Sequence, residues 1–485
     1  MSTLAALEPR SLWEHFDALT KIPRPSGREA AAAAYVESVA RRIGAEIRRD
    51  AVGNVVLSVP ASSGREKAPA VILQGHLDMV AEKNKGVEHD FLKDPIRTRV
   101  EGEWVGAVGT TLGADNGIGV AAALAAATDP AVSHGPLELL FTIDEERGLT
   151  GAIGLDASLL RGRTLLNLDS EEDGAIYVGC SGGCDSILHF DPRWTAPTPG
   201  RAPLLLEVRG LRGGHSGLNI HEGRGNALKL VVRILFSALE AGVRFDLAAI
   251  RGGSKHNAIP REAEAILHVD PADRAKLDGI VACMREGFGV ELAGVDDGVE
   301  VAVSDAPSAA RVASAEAAGR LVRLLAVLPH GVIAMSRDLP GLVETSNNLA
   351  VAEIEGDLVR IVTSSRSSVA PSIRMVLDAI RCAGQLAGAD VESRDGYPGW
   401  KPNLASPALG VVRDVYRRRW GREPEVKAIH AGLECGLLGE KVPGLDMVSF
   451  GPQIEGAHSP DERVHVASVD RFWGALKEVL DRMSA

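Results

Sequence analysis

Apolar runs in the first third of the chain are short, and several of them end on chemistry. "AVILQGHLD" stays apolar through Leu73 and ends near His76 and Asp78. "LELLFTIDEERG" is apolar from Leu137 to Ile143 and then presents Asp144, Glu145 and Glu146 in succession. "TLLNLD" closes on Asp169. Runs of this length suit buried strands. Between them, "GADNGIGVAAALAAATDP" predicts a tight turn at Asp115 and a helix of small residues that stops at Pro130. Near the start, Leu12, Trp13, Phe16 and Leu19 recur at helical spacing. Strands alternating with helices predict an α/β fold, a mainly parallel sheet with helices on both faces. Sites in such sheets form at the carboxyl ends of the strands. His76, Asp78, Glu145, Glu146 and Asp169 all fall at such ends.

The pattern changes from about residue 185. "PLLLEVRGLRGGHSG" predicts a strand and a glycine-rich turn. A helix follows, its apolar face made by Leu228, Val231, Val232, Leu235 and Leu239. "SKHNAIPREAEAILHVDPADRAKLDGIVACM" then predicts a strand, a turn and a helix. A weak echo of this order runs through "VEVAVSD", a helix near Arg320–Val327, "VETSNNLAVAEI", "LVRIVTSSRSS" and a helix near Ile373–Ile380. It suggests two related α+β units, with His256-Asn257-Ala258 opposite Asn347-Asn348-Leu349. After "GYPGWKPN" the earlier pattern resumes, with helices at "LGVVRDVYRRRW" and "SVDRFWGALKEVLDRM" and a strand end at "MVSFGP". The expected organisation is a discontinuous catalytic domain, residues 1–184 and 395–485, with an α+β lid inserted at 185–394.

A formal net charge of −12 and the lack of a basic stripe argue against nucleic-acid binding. No run approaches a membrane span, and the first thirty residues lack the apolar core of a signal peptide. The five cysteines are odd in number and scattered. "CSGGC" has the wrong spacing for a zinc or redox pair. Reduced thiols and a cytoplasmic location are expected.

His76, Asp115, Glu146, Asp169 and His458 then stand out as candidate metal ligands. Taken singly, each has a plainer explanation: a hydrogen-bonded histidine, a helix cap at Asp115, a turn at Asp169. Together they supply two imidazoles and three carboxylates. That is the set two divalent ions need if one carboxylate is shared. Zinc is the expected metal, and the ligands also admit manganese or cobalt. Asp78 lies two residues from His76, so on an extended strand both side chains leave one face, and the carboxylate can orient the imidazole. Glu145 adjoins Glu146 but points elsewhere, which frees it to act as general base and then general acid.

"GHLDMV", "GADNGIG", "TIDEERGLTGA", "NLDSEEDG", "GGHSGLNI", "HAGLECG" and "GAHSPDERV" resemble, in order and context, the aminoacyl-histidine dipeptidases. These belong to the di-zinc peptidase superfamily that also holds aminoacylases and glutamate carboxypeptidases. "IPRPSG" and "DAVGNVV" fit as well, so the resemblance spans nearly the whole chain. It implies a zinc-peptidase-like catalytic domain in which Asp115 bridges two zinc ions through a cis peptide to Asn116. His76, Glu146, Asp169 and His458 would be the remaining ligands, with a hydroxide between the metals as nucleophile. It further implies that His215 polarises the scissile carbonyl, and that Asn257, Arg366 and the Gly432 backbone hold substrate. Arg366 suits a terminal carboxylate because its planar fork binds carboxylates in a bidentate way.

The expected activity is hydrolysis of dipeptides with a free amino terminus, Xaa-His types such as β-Ala-His included. N-acyl amino acid deacylation on the same scaffold is the nearest rival. A di-metal phosphoesterase is disfavoured by the lack of basic residues around the acidic motifs, and a metal-free binding relative by the unbroken ligand set. A homodimer is expected, with a monomer as the alternative; in relatives the lid histidine comes from a partner subunit or from the same chain.

Overall fold

The strand Val71–His76 lies between Leu137–Thr142 and Thr164–Asn167 and runs parallel to both. Asp446–Ser449 adds a further parallel strand beside Thr164–Asn167. Glu46–Arg49 and Val55–Val59 extend the sheet antiparallel at one edge. The computed structural model describes residues 3–394 and 396–485. Its contacts divide the chain into two units. One takes the chain up to Gly179, then Pro402–Ala428 and Leu433–Ala485; the other is Cys180–Lys401 with Ile429–Gly432.

In the first unit the two strands Val71–His76 and Leu137–Thr142 are buried along their whole length. Glu138 brings a carboxylate into the second of them. It pairs with Arg48 at 2.8 Å and accepts the N–H groups of Arg161 and Gly162, so its charge is matched inside the sheet. The helix Ala114–Thr128 packs small residues against this sheet, and Asp115 and Asn116 at its start are not helical. The bond joining them is cis.

The helix Arg10–Thr20 buries Leu12, Trp13, Phe16 and Leu19, and also His15. The His15 ring lies 2.8 Å from the Tyr35 hydroxyl and 3.1 Å from Thr128 Oγ1. Burial, aided by Arg42, lowers its pKa to about 4. The folded unit therefore favours neutral His15, and this stability, full above about pH 6.5, is lost as pH falls towards 4. From pH 7 to 5 the stability gap between wild type and His15→Gln should close by about 2 kcal/mol. Urea unfolding of both proteins at the two pH values measures it.

The second unit is built on an antiparallel sheet. Its order is Glu300–Asp305, Ala202–Arg209, Ala263–Val269, Phe245–Gly252, Val343–Glu355, Leu358–Ser367, Gly182–Phe190 and Asp390–Ser393. Leu228, Val231, Val232 and Leu235 of the helix Ala227–Glu240 are buried in its core. The order reads alike from either end. Each half runs strand, helix, hairpin, helix, edge strand, and the halves meet where Gly252 pairs with Ala352. The strand opening the second half is Gly182–Phe190, not the "VEVAVSD" strand of the sequence echo, which is the edge of the first half. The echo missed this because Gly182–Phe190 precedes both repeats in the chain. Among the described residues no helix is long and apolar enough to cross a membrane.

Candidate metal centre

The acidic strand end at Ile143 is a shaped turn. Asp144 has φ 51° and spends its carboxylate on Arg147 Nε and Thr150 Oγ1, both at 2.6 Å. The next two residues are held by Asp78, whose Oδ1 accepts the N–H of Glu145 at 3.0 Å and whose Oδ2 accepts that of Glu146 at 3.2 Å. Ser26 Oγ donates to the same carboxylate at 2.8 Å, and His76 Nδ1 faces it at 3.3 Å. Asp78 thus has more to do than its spacing from His76 suggested. It faces the imidazole and also holds the backbone N–H groups of both glutamates.

Five side chains converge in two overlapping groups. His76 Nε2 lies 3.0 Å from Asp115 Oδ1 and 3.4 Å from Asp169 Oδ1. His458 Nε2 lies 3.2 Å from Asp115 Oδ2 and 2.9 Å from Glu146 Oε2. Asp115 gives one oxygen to each group, and each contains one imidazole and one further carboxylate. His76, Glu145 and Glu146 form a third close group. A fourth, Glu29, Asp78 and Asp144, is spent on protein donors.

The donor chemistry fits divalent cations. Asp169 Oδ1 and Glu146 Oε1 are buried and have no hydrogen-bond donor among the described residues. Burial raises Asp169 to about 7 against the pull of His76, with Asp115 and Glu146 adding to the rise. Burial also raises Glu171 to about 8, helped by Asp115 and Asp169. Hydrogen bonds to Asp115 and Glu146 push His458 up to about 11. Carboxylates that climb and imidazoles that hold protons mark surplus negative charge, which bound cations relieve. Glu145 is pushed well above the usual carboxylate range, by burial first and then by Asp169, Glu434 and Glu146, with His76 opposing.

Beneath the centre runs a buried polar chain that spacing did not reveal. Glu434 Oε2 accepts from Gln74 Nε2 at 2.6 Å and from Thr142 Oγ1 at 2.7 Å. Gln74 accepts from Asn167, which accepts from Ser449. The only sequence signal was polar residues inside otherwise apolar strands.

His215, Asn257, Arg366 and Gly432 belong to the second unit. Gly214–His215 pairs with Ala258–Ile259, which brings His215 next to Asn257. His215 Nδ1 accepts the N–H groups of Gly217 and Leu218 at 3.2 and 3.1 Å. A neutral ring so held carries its proton on Nε2. Burial, then the Arg366 charge, then His256 lower its pKa, so the neutral form is favoured. Arg366 is buried and donates from Nη1 to the Tyr397 hydroxyl at 3.0 Å. A Cβ on Gly432 would stand 2.7 Å from that tyrosine ring, so Tyr397, not anticipated from the sequence, joins the two.

The chain is similar to known proteins along its whole length. The chain is 43% identical over 489 residues to the cytosol non-specific dipeptidase of Escherichia coli, covering 100% of both. The crystal structure of aminoacylhistidine dipeptidase from Vibrio alginolyticus superposes with a TM-score of 0.94 at 42% identity, covering 99% of this chain and 98% of that one. Aminopeptidase PepT from Bacillus cereus shares the fold at 15% identity, with a TM-score of 0.58 over 99% of this chain and 100% of its own. Residues 72–482 match peptidase family M20/M25/M40, and the chain belongs to that family.

Proposed function

We propose that the protein is a cytosolic two-zinc dipeptidase that cleaves dipeptides with a free amino terminus, Xaa-His among them. The observation that carries this is the pair of ligand groups sharing Asp115, with Glu145 beside them outside both. The names of two of these relatives, a non-specific dipeptidase and an aminoacylhistidine dipeptidase, supply the substrate class. His76 and Asp169 would hold one ion, His458 and Glu146 the other, and Asp115 both. Bound there, the two cations would polarise the scissile carbonyl and acidify the attacking water.

The chain's own groups do the rest. Glu145, its pKa raised, takes a proton from the attacking water and returns it to the leaving amine. His215 offers an Nε2–H to the oxygen on which negative charge develops. Arg366, steadied by Tyr397, receives the dipeptide's terminal carboxylate. Asn257 and the Gly432 backbone complete the contacts to substrate. The protein would work as a homodimer.

The test is a side-by-side assay of β-Ala-His, Ala-His, Ala-Ala and N-acetyl amino acids, with zinc and after chelation. Turnover of the dipeptides that chelation abolishes and zinc restores is expected. Turnover of acetylated substrates alone would assign the scaffold to deacylation.

A further inference from the structure

"IPRPSG" and "GAHSPDERV" each contribute a charged residue that the proposed reaction does not use, Arg24 and Glu462. Both are buried, at 2% and 3% exposure. A buried charge is costly unless its hydrogen-bonding capacity is met. Glu462 meets it with four successive backbone N–H groups. Its Oε2 accepts from Leu112 and Gly113 at 2.7 and 2.9 Å, and its Oε1 from Ala114 and Asp115 at 2.7 and 3.1 Å. Arg24 grips the same loop by a carbonyl. Its Nη2 donates to Gly113 O at 2.5 Å, and its Nη1 to the carbonyls of Leu77 and Asp78 at 2.9 and 2.8 Å.

These contacts account for two glycines around "GADNG". Gly113 has φ 71°, and a Cβ there would stand 2.6 Å from Arg24 Nη2 and 2.8 Å from Met79 Sδ. A Cβ on Gly117 would stand 2.7 Å from the same nitrogen. The loop carrying Asp115 is bare where the arginine passes.

We propose that Arg24 and Glu462 are positioning residues that hold the two halves of the metal centre in register. The inference rests on the metal-centre reading above. The ligands come from distant segments, with His458 lying 343 residues from Asp115 in the chain. Glu462 follows His458 on one loop, so its grip on Leu112–Asp115 sets that imidazole against the shared carboxylate. Arg24 ties the Asp115 loop to the Leu77–Asp78 segment that directly follows His76. Both braces act on the backbone beside Asp115, the one residue that serves both halves.

Glutamine at position 462 keeps the shape but sets an amide N–H₂ against two backbone donors. Stripped of metal and titrated with Zn²⁺ against a chelating dye, full-length Glu462→Gln should bind zinc about 10–100-fold more weakly than wild type. Amide exchange at residues 112–115 should quicken. Arg24→Lys, which keeps a charge but loses the fork, should weaken zinc binding likewise and decides the matter if Glu462→Gln does not fold. Val479→Ala, a core truncation in the C-terminal helix, serves as a control that lowers melting temperature while leaving zinc affinity unchanged. A folded Glu462→Gln or Arg24→Lys with zinc affinity within twofold of wild type overturns the positioning role alone. A wild-type protein that binds no zinc overturns the metal-centre reading and this inference with it.

Discussion

Glu145→Gln should bind two zinc ions as wild type does and lose about 10²–10⁴-fold in kcat, the usual worth of a positioned general base. Glutamine matches the side chain in shape but cannot accept the proton. The neighbouring Glu146→Gln should instead lose metal, because Glu146 Oε2 points at His458 Nε2, 2.9 Å away, within one ligand group. The opposite outcomes for adjacent, chemically identical residues follow from the turn. Asp144 at positive φ and the two N–H groups held by Asp78 send successive side chains in different directions. Zinc content by elemental analysis and kcat on Ala-His separate the two effects. A Glu145→Gln protein within tenfold of wild-type kcat would move the base elsewhere, with Glu171 the next carboxylate to test.

Much of this centre is legible in the chain because strands announce themselves. His76, Glu145, Glu146 and Asp169 follow apolar runs, and the carboxyl-end rule for parallel sheets gathers them from the chain alone. Asp115 is legible through its glycine-flanked turn. His458 is harder, since it sits at φ 63° in a loop and only its company gives it meaning. Arg24, Glu462 and the Glu434 chain were not legible in their roles. They act on backbone atoms or buried amides, and such contacts leave no period in the sequence. The second sheet shows a different limit. Its halves show in the chain as a repeated order of elements, but Gly182–Phe190 lies ahead of both repeats and only hydrogen-bonded pairing reveals its place.

His215→Ala should lower kcat by about 10²–10³-fold, the cost of losing one donor to a developing oxyanion, with zinc content unchanged and KM little moved. The structural warrant is the tautomer. With Nδ1 accepting from Gly217 and Leu218, the ring's proton is on Nε2, the only nitrogen left to serve substrate. Protonation would turn Nδ1 into a third donor against those two amides. Burial and the Arg366 charge further depress the pKa, so any loss of activity from protonating His215 should appear only below pH 6.5. His215→Gln, whose amide N–H₂ reaches about as far as Nε2, should recover part of kcat, which a merely structural histidine would not show. If His215→Ala raises KM and leaves kcat intact, the residue binds ground-state substrate and the oxyanion role passes to another donor. Stabilisation confined to the transition state requires the reverse split, because a group that holds substrate and transition state equally well cannot change kcat.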